Sequence, residues 1–351
     1  MPANKKRLLL TGVGGSIGCH TLIHILHNTD WIVVGIDSFR HKGLASRVAK
    51  MLDYHPEYVS RVRTLRHDLT EPIDDHLEGE IGAIDFVIAM ASLSDVHDSI
   101  VNPVPFIRNN VEVVLNTLEY ARRVRPSAFL LVSTDEVYGP TDGKHLHREW
   151  DSIVPSNPYS ASKVAQEAIA ISYWRSYNIP LIIVNLMNNF GEMQSPAKFP
   201  AMVQRAVSTG ETVQIHTSAE GKAGSRFYLH SRNCSDALLF LLKNVTPHLH
   251  GAGQNTVDGK ADKPNRYNIV GERQIDNLAL ARLIAEELGK PLKVELVPAT
   301  TSRPGHDLHY GLDGTRLAAL GWKPPVSFEE SLRNTVKWYQ ENPEWLEKHG
   351  R

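Results

Sequence analysis

The sequence predicts an α/β fold, a doubly wound parallel sheet followed by a smaller, mixed α/β lobe, and three observations predict it. Short, continuous apolar runs such as Arg7–Thr11, Ile84–Ala89 and Phe129–Val132 read as strands buried on both faces. Helical patterns separate these runs at the rhythm of βαβ units, which argues for a parallel sheet. The first strand also runs directly into a glycine-rich turn that opens a helix, Gly12-Val13-Gly14-Gly15-Ser16-Ile17-Gly18.

That turn makes the first half read as a Rossmann unit. Gly12, Gly15 and Gly18 fit a tight turn, a close backbone approach to a pyrophosphate and close packing of helix on strand. The helix N-terminus offers free amides to phosphates. Strand Trp31–Ile36 ends in Asp37, at the distance expected for the acid that binds an adenosine ribose. Its charge repels a 2′-phosphate and favours NAD over NADP, while the neighbouring Arg40 works against that preference. His20, His24 and His27 share one face of the helix after the turn. No acid or cysteine accompanies them at ligand spacing, so they are expected to be solvated surface, and no metal site is expected. After a strand near Val62–Leu65, Asp68 reads either as an acceptor for an adenine amino group or as a turn-forming residue. Met90-Ala91-Ser92 leaves the fourth strand with small residues past which a flat cofactor can lie, and an amphipathic helix follows from Phe106 to Arg123.

The fifth strand ends at Ser133, and Thr134, Asp135 and Glu136 follow it. Ligands of open parallel sheets sit beyond the strands' carboxyl ends, which places these three at the floor of the crevice. Two neighbouring carboxyl groups are costly to ionise together, so their pKa values are expected to separate, giving one acid and one base at the same pH. A solvated turn is the plainer alternative. Asn157-Pro158 then starts a helix, with Asn157 or Ser156 as cap. Tyr159 and Lys163 stand one turn apart on it, an arrangement in which the ammonium lowers the phenol's pKa and makes a base for an alcohol proton, or else an ordinary exposed pair. Beyond the strand Leu181–Val184 the alternation loosens. Isolated basic residues, Lys198, Arg226 and Arg303, suggest a lid over an anionic ligand, with helices near Cys234–Lys243, Asp276–Leu288 and Phe328–Tyr339 as its scaffold. Residues 1–190 are expected to form the cofactor-binding and catalytic domain and 191–351 mainly the substrate lobe, with some chain crossing back.

The 351 residues are enough for one large or two modest domains, and a net charge of -1 leaves no electrostatic footprint for nucleic acid. Cys19 and Cys234 form no disulfide framework. No apolar stretch approaches the ~20 residues a bilayer requires, and the basic Lys5-Lys6-Arg7 precedes only a short run that enters the glycine turn. The expectation is a soluble, cytoplasmic protein with neither membrane nor nucleic-acid partners.

The sequence resembles the extended short-chain dehydrogenases/reductases, and within them the nucleotide-sugar 4,6-dehydratases. The motifs are Thr11–Gly18, Ser133–Gly139, Asn157–Lys163, Asn188–Gly191, Arg266–Asn268 and Arg303–Tyr310, spread over nearly the whole chain. The resemblance implies an NAD cofactor, a nucleotide-diphosphate sugar substrate and a homodimer. It implies that Tyr159 takes the sugar 4-hydroxyl proton, that Lys163 holds the nicotinamide ribose, and that Thr134 binds the 4-oxygen. Glu136 would remove the carbon-5 proton and Asp135 protonate the departing 6-hydroxyl. Further cofactor contacts are implied for Ser16, Ile17, Asp68, Leu69, Ala89, Ala91 and Asn110, and substrate contacts for Ser94, Asn188, Lys198, Arg226, Asn268, Arg303 and Tyr310. The chain departs from the family pattern at Leu93 and Asp95, where an acid and a histidine are usual, at Glu192, where proline is usual, and at Ser231-Arg232-Asn233. These departures leave the hexose and the base open.

Overall fold

The computed structural model describes residues 5–41, 43–250, 263–298 and 308–347. The first half alternates as expected: β1 (Arg7–Thr11), α1 (Ser16–Asn28), β2 (Ile32–Asp37), α2 (Leu44–Tyr54), β3 (Val62–Arg66), α3 (Asp75–Ile81), β4 (Phe86–Ala89), α4 (Val96–Val101), α5 (Pro103–Val124), β5 (Ala128–Thr134), α6 (Pro158–Tyr177) and β6 (Leu181–Leu186). The second half follows with β7 (Asn189–Phe190), α7 (Phe199–Thr209), β8 (Val213–Thr217), β9 (Ser225–Arg226), β10 (Leu229–His230), α8 (Ser231–Asn244), β11 (Asn265–Ile269), β12 (Ile275–Asp276), α9 (Asn277–Leu288), β13 (Val294–Pro298), α10 (Thr315–Ala319) and α11 (Phe328–Glu341). Among the described residues no helix is long and apolar enough to cross a membrane.

Seven strands form one all-parallel sheet in the order β11-β6-β5-β4-β1-β2-β3. The strand order reverses between β1 and β4, so the crevice for ligands opens beyond their carboxyl ends. Both sheet faces are covered, which is why β4, β5 and β6 are buried at every residue. One face carries a core that joins Leu8, Leu10, Ile88, Leu130 and Val184 to Leu238 and Leu241 of α8 and to Tyr267 of β11. The other packs Leu9, Val87, Phe129 and Ile183 on Val114 and Leu118 of α5 and Trp174 of α6. A separate core around Val203, Ile215, Leu280, Ile284 and Leu332 holds the lobe. The chain therefore returns to the first sheet after residue 190, through α8 and β11.

Local rules explain the joints that matter for the site. Gly18 lets α1 sit on β1, since a Cβ there would stand 2.1 Å from the Gly12 carbonyl oxygen. Gly139 ends the turn after the acids with φ +84°, and a Cβ there would meet the Val154 carbonyl oxygen at 2.4 Å. Helix α6 begins with a reciprocal cap: Asn157 accepts from the Ser160 amide, Ser160 accepts from the Asn157 amide, and Pro158 occupies the first helical position.

The expected solvated face of α1 is not observed. His20 is 8% exposed, with Nε2 3.5 Å from a carboxylate oxygen of Glu192, and His24 pairs with Asp236 of α8 at 3.2 Å. His27 alone of the three is exposed, and it bonds Tyr58. The reason is tertiary. That face of α1 is covered by α8 and by the turn after β7, neither of which is visible in the helix's own pattern.

A buried ion pair ties β11 to α6. Arg266 Nη2 donates to Glu167 Oε2 at 2.6 Å with both residues 1% exposed, and Asn185 of β6 donates to the other Glu167 oxygen at 2.9 Å. Arg266 also donates to the Tyr138 hydroxyl and lies over the Trp150 ring. Removing one partner strands the other charge in a dry interior. Arg266→Leu is therefore expected to cost about 3–5 kcal/mol in a urea melt, and Arg266→Leu with Glu167→Leu to recover part of that loss. A single mutant as stable as the native chain would contradict this.

Candidate active site

The site is built from the carboxyl end of β5. Asn185 Nδ2 donates to the Thr134 carbonyl at 3.0 Å and fixes the strand's last residue. A single turn of 3₁₀ helix, Asp135–Tyr138, starts there, with the Thr134 hydroxyl accepting from the Glu136 amide. Thr134 Oγ1 donates to Asp135 Oδ1 at 2.8 Å, while Asp135 Oδ2 is buried with no hydrogen-bond partner among the described residues. Burial, and then the charge of Glu136, push the Asp135 carboxyl up to about 7, against the opposing pull of the Thr134 bond and Arg226. Glu136 accepts from Asn157 Nδ2 at 3.0 Å. Two adjacent carboxyl groups thus lie in unlike surroundings, one dry and the other held by an amide donor.

Helix α6 brings Tyr159 to the same place, and the Ser99 hydroxyl receives its backbone amide at 3.2 Å. The expected lowering of the phenol by Lys163 is not observed. Burial, then the charges of Glu136 and Asp135, raise the Tyr159 pKa, and only a hydrogen bond with Thr134 opposes them. Lys163 points instead into the interior, donating to the Val132 carbonyl at 2.8 Å and to Gln166 Oε1. Burial lowers its ammonium to about 8, with the charge of Glu167 opposing.

The cofactor side is assembled from β1, β2 and β4. Asp37 is 8% exposed at the end of β2 and accepts from the Gly14 and Phe39 amides at 3.0 and 2.9 Å. Arg40 is turned away into a pair with Asp68 at 2.9 Å and a bond to Asn109 at 2.7 Å. The other Asp68 oxygen closes a turn on Thr70, which is the turn-forming alternative of the sequence reading. Leu69 and Ala89 are buried beside this crevice, and the Met90 and Ala91 amides donate to the Thr11 hydroxyl. Ser16 opens α1, next to Ile17, with its hydroxyl buried and unpartnered among the described residues. An orphaned hydroxyl at a helix N-terminus, beside an acid at the end of β2, fits a dinucleotide. Asn110 is fully buried, and its side chain bonds both backbone groups of Leu93 and the Ser162 hydroxyl, so it shapes the loop after β4.

On the lobe side, Arg226 lies 4.6 Å over the Tyr310 ring and close enough to Asp135 to lower its carboxyl. Lys198 donates to the Ser94 carbonyl at 3.2 Å, joining the lobe to the loop after β4. The Asn188 side-chain oxygen is buried without a partner among the described residues. Asn268 is 0% exposed and spends its amide on the His147 and Asp313 carbonyls, so it holds loops together behind the crevice. Arg303 lies outside the described residues.

The departures have local explanations. Asp95 caps α4 by accepting from the Asp98 amide, and the Leu93 backbone is clamped by Asn110. Glu192 is sandwiched between His20, His230 at 3.1 Å and Arg232 at 3.7 Å. Burial alone would raise its carboxyl, but His230 and His20 outweigh that and hold it low, while burial keeps His20 itself down at about 4. The sequence reading treated Asn157 only as a cap and missed its bond to Glu136. The signal was present in Asn157-Pro158-Tyr159, which sets an amide two residues from the tyrosine. Glu167 and Asn185, which brace the site from behind, carried no signal of their own.

Comparison with known proteins agrees with this geometry. The family model for GDP-mannose 4,6 dehydratase matches residues 9–335. The low-salt glycan biosynthesis protein Agl12 of Haloferax volcanii is 32% identical over 336 residues, covering 95% of this chain and 98% of that protein. The dTDP-glucose 4,6-dehydratase of Neisseria gonorrhoeae is 32% identical over 365 residues, covering 96% of each. A crystal structure of DesIV, the dTDP-glucose 4,6-dehydratase of Streptomyces venezuelae, with NAD and TYD bound superposes with a TM-score of 0.82 at 28% identity, over 97% of this chain and 99% of that one. With most of its length inside the family model, a relative 32% identical over nearly its whole length and a parallel sheet that superposes on a solved dehydratase, the chain belongs to the nucleotide-sugar 4,6-dehydratase family of extended short-chain dehydrogenases/reductases, whose cofactor is NAD.

Proposed function

We propose that this chain is an NAD-dependent nucleotide-sugar 4,6-dehydratase that converts a dTDP- or UDP-hexose to its 4-keto-6-deoxy sugar and water. The observation that carries the reading is Asp135, with its carboxyl pushed up to about 7 beside Glu136. Elimination of water needs a carboxylic acid and a carboxylate at one moment, and a pair held apart in this way provides both. A nucleotide-sugar 4-epimerase would need only Tyr159, Lys163 and NAD, and has no chemical use for Asp135.

Bound NAD supplies the hydride acceptor at carbon 4 and the donor at carbon 6. Tyr159 takes the 4-hydroxyl proton, and Lys163, one turn along α6, would hold the nicotinamide ribose. Thr134 holds the 4-oxygen. The 4-keto group acidifies the neighbouring C–H, and Glu136, oriented by Asn157, removes the carbon-5 proton. Those electrons form the carbon 5–carbon 6 double bond, and the 6-hydroxyl leaves as water with the Asp135 proton; when carbon 6 is reduced, Glu136 returns its proton to carbon 5. Residues 1–190 would hold the cofactor and catalytic groups, and 191–351 mainly the nucleotide sugar through Asn188, Lys198, Arg226, Arg303 and Tyr310. Since Leu93 and Asp95 alter the loop expected against the hexose, we take the substrate to be a hexose other than plain glucose, or glucose in a shifted pose.

We further take the enzyme to be a cytoplasmic homodimer. Val104, Ile107 and Leu115 form an exposed apolar stripe on α5, with Tyr177 exposed on the adjoining α6. Light scattering should give twice the chain mass, and Ile107→Lys should shift it toward the monomer. A monomeric native protein would overturn this.

Mass spectrometry of products from dTDP-glucose, UDP-glucose and UDP-N-acetylglucosamine tests the reaction, since a dehydratase product is lighter by one water. Tyr159→Phe should abolish turnover, while Asp135→Asn with Glu136→Gln should still oxidise carbon 4 but release no water. Because Asp135 must be protonated to act, kcat should fall as pH rises through about 7, and the much reduced residual turnover of Asp135→Asn should lack that limb. A product of unchanged mass would point to the epimerase.

A further inference from the structure

We propose that the loop between Gly139 and Asn157 carries a binding site for a divalent transition-metal ion of the Zn²⁺ class, formed by His145, His147 and Asp151. The sequence reading weighed only the α1 histidines as ligands, found no acid or cysteine at ligand spacing beside them, and expected no metal site. In the fold, one oxygen of Asp151, Oδ2, stands 3.7 Å from His145 Nε2 and 3.5 Å from His147 Nδ1. The three donor atoms lie within 4.8 Å of one another. A tetrahedral ion with bonds of about 2.0–2.1 Å spaces its donors about 3.3 Å apart, so small side-chain adjustments close the site.

An exposed histidine–aspartate pair is the simpler reading, and it accounts for less. The Arg148 amide donates to Asp151 Oδ2 at 2.9 Å and holds the carboxylate in place, and two imidazoles converge on it, with ring centres 4.8 Å apart. A single divalent cation would use one nitrogen of each ring as a neutral donor and the carboxylate as the third. His147 is also fixed in place. It stacks on Tyr138 at 5.3 Å, and neither of its buried ring nitrogens has a hydrogen-bond partner among the described residues. The outer side is open, with the His145 and Asp151 side chains 59% and 35% exposed, which gives an ion its entry path and leaves a coordination position for water. Two imidazoles and a carboxylate suit Zn²⁺, Co²⁺ or Ni²⁺ better than Mg²⁺ or Ca²⁺, which favour all-oxygen sites.

The position gives the ion a purpose. The same loop runs alongside residues 309–313: the Thr141 amide donates to the His309 carbonyl, His147 to Gly311, and Asp313 to His147. That segment carries Tyr310 beneath Arg226, on the substrate side of the crevice. An ion at His145, His147 and Asp151 would brace this wall of the site without touching the reacting groups.

The test is titration of the chelator-treated full chain with Co²⁺ and with Zn²⁺ near neutral pH. The expected result is saturable binding, a tetrahedral Co²⁺ absorption spectrum, and a Tm raised by about 3 °C at a roughly hundredfold excess of Zn²⁺ over Kd. His145→Ala and Asp151→Asn should each weaken binding at least about tenfold and remove most of that Tm rise, since the first deletes a ligand and the second removes the only negative charge among the three. His76→Ala, at an exposed histidine on α3, should bind as the native chain does. Absence of saturable binding in the native chain, or binding that survives both ligand substitutions, would overturn the proposal.

Discussion

Two carboxyl groups on consecutive residues at the dry end of a buried strand cannot both ionise freely, and the surroundings of β5 follow from that constraint. Asp135 is 3% exposed and keeps one oxygen without a partner among the described residues, while Glu136 is held by the Asn157 amide. The asymmetry depends on position. A slip of one residue along β5 would carry both acids out of these surroundings, because the 3₁₀ turn that bears them starts where the strand ends. Several groups guard that position. Asn185 bonds the Thr134 carbonyl, the Thr134 hydroxyl caps the turn, and Gly139 closes it in a conformation that few other residues adopt. Behind them the buried Arg266–Glu167 pair ties β11, β6 and α6 together.

The helix that carries Tyr159 is fixed by the same residue that steadies one of the carboxyl groups. Asn157 uses its side-chain oxygen to cap α6 and its amide to hold Glu136, so the start of the helix and the carboxylate are set by one side chain. Tyr159 lies two residues along. Its phenol is raised by burial and by both carboxylates, so in the resting chain it keeps its proton. The crevice therefore holds a protonated phenol beside the acid pair, while Lys163, with an ammonium lowered to about 8, is engaged by the Val132 carbonyl and Gln166.

Much of the fold was legible because buried parallel strands must be apolar throughout, and that pattern survives without context. The runs at β1, β4, β5 and β6, the glycine turn and the Asn157–Lys163 helix start were all read from local sequence. What escaped the reading was set by packing between distant segments. His20 looked like solvated surface because α8 and the turn at Glu192 lie far from it in the chain, and the Glu192–His20–His230 cluster exists only once they meet. Asn268 was read as a substrate contact, but β11 carries it inside, against loops from either side. The direction of Lys163 was equally invisible, since helical spacing places two side chains on a face without saying which polar atoms each will reach. His145, His147 and Asp151 drew no notice for the same reason.

The central claim is that the acid pair is split by its surroundings, and it can be measured without any substrate. Carbon-13 NMR of carboxyl-labelled protein, assigned by comparison with Asp135→Asn, would follow the Asp135 carboxyl through a pH titration. The account predicts a midpoint near 7, moving down but not fully to normal in Glu136→Gln, because burial is the larger cause and the Glu136 charge the second. A midpoint near the ordinary aspartate value of about 3.9, unchanged by Glu136→Gln, would contradict it.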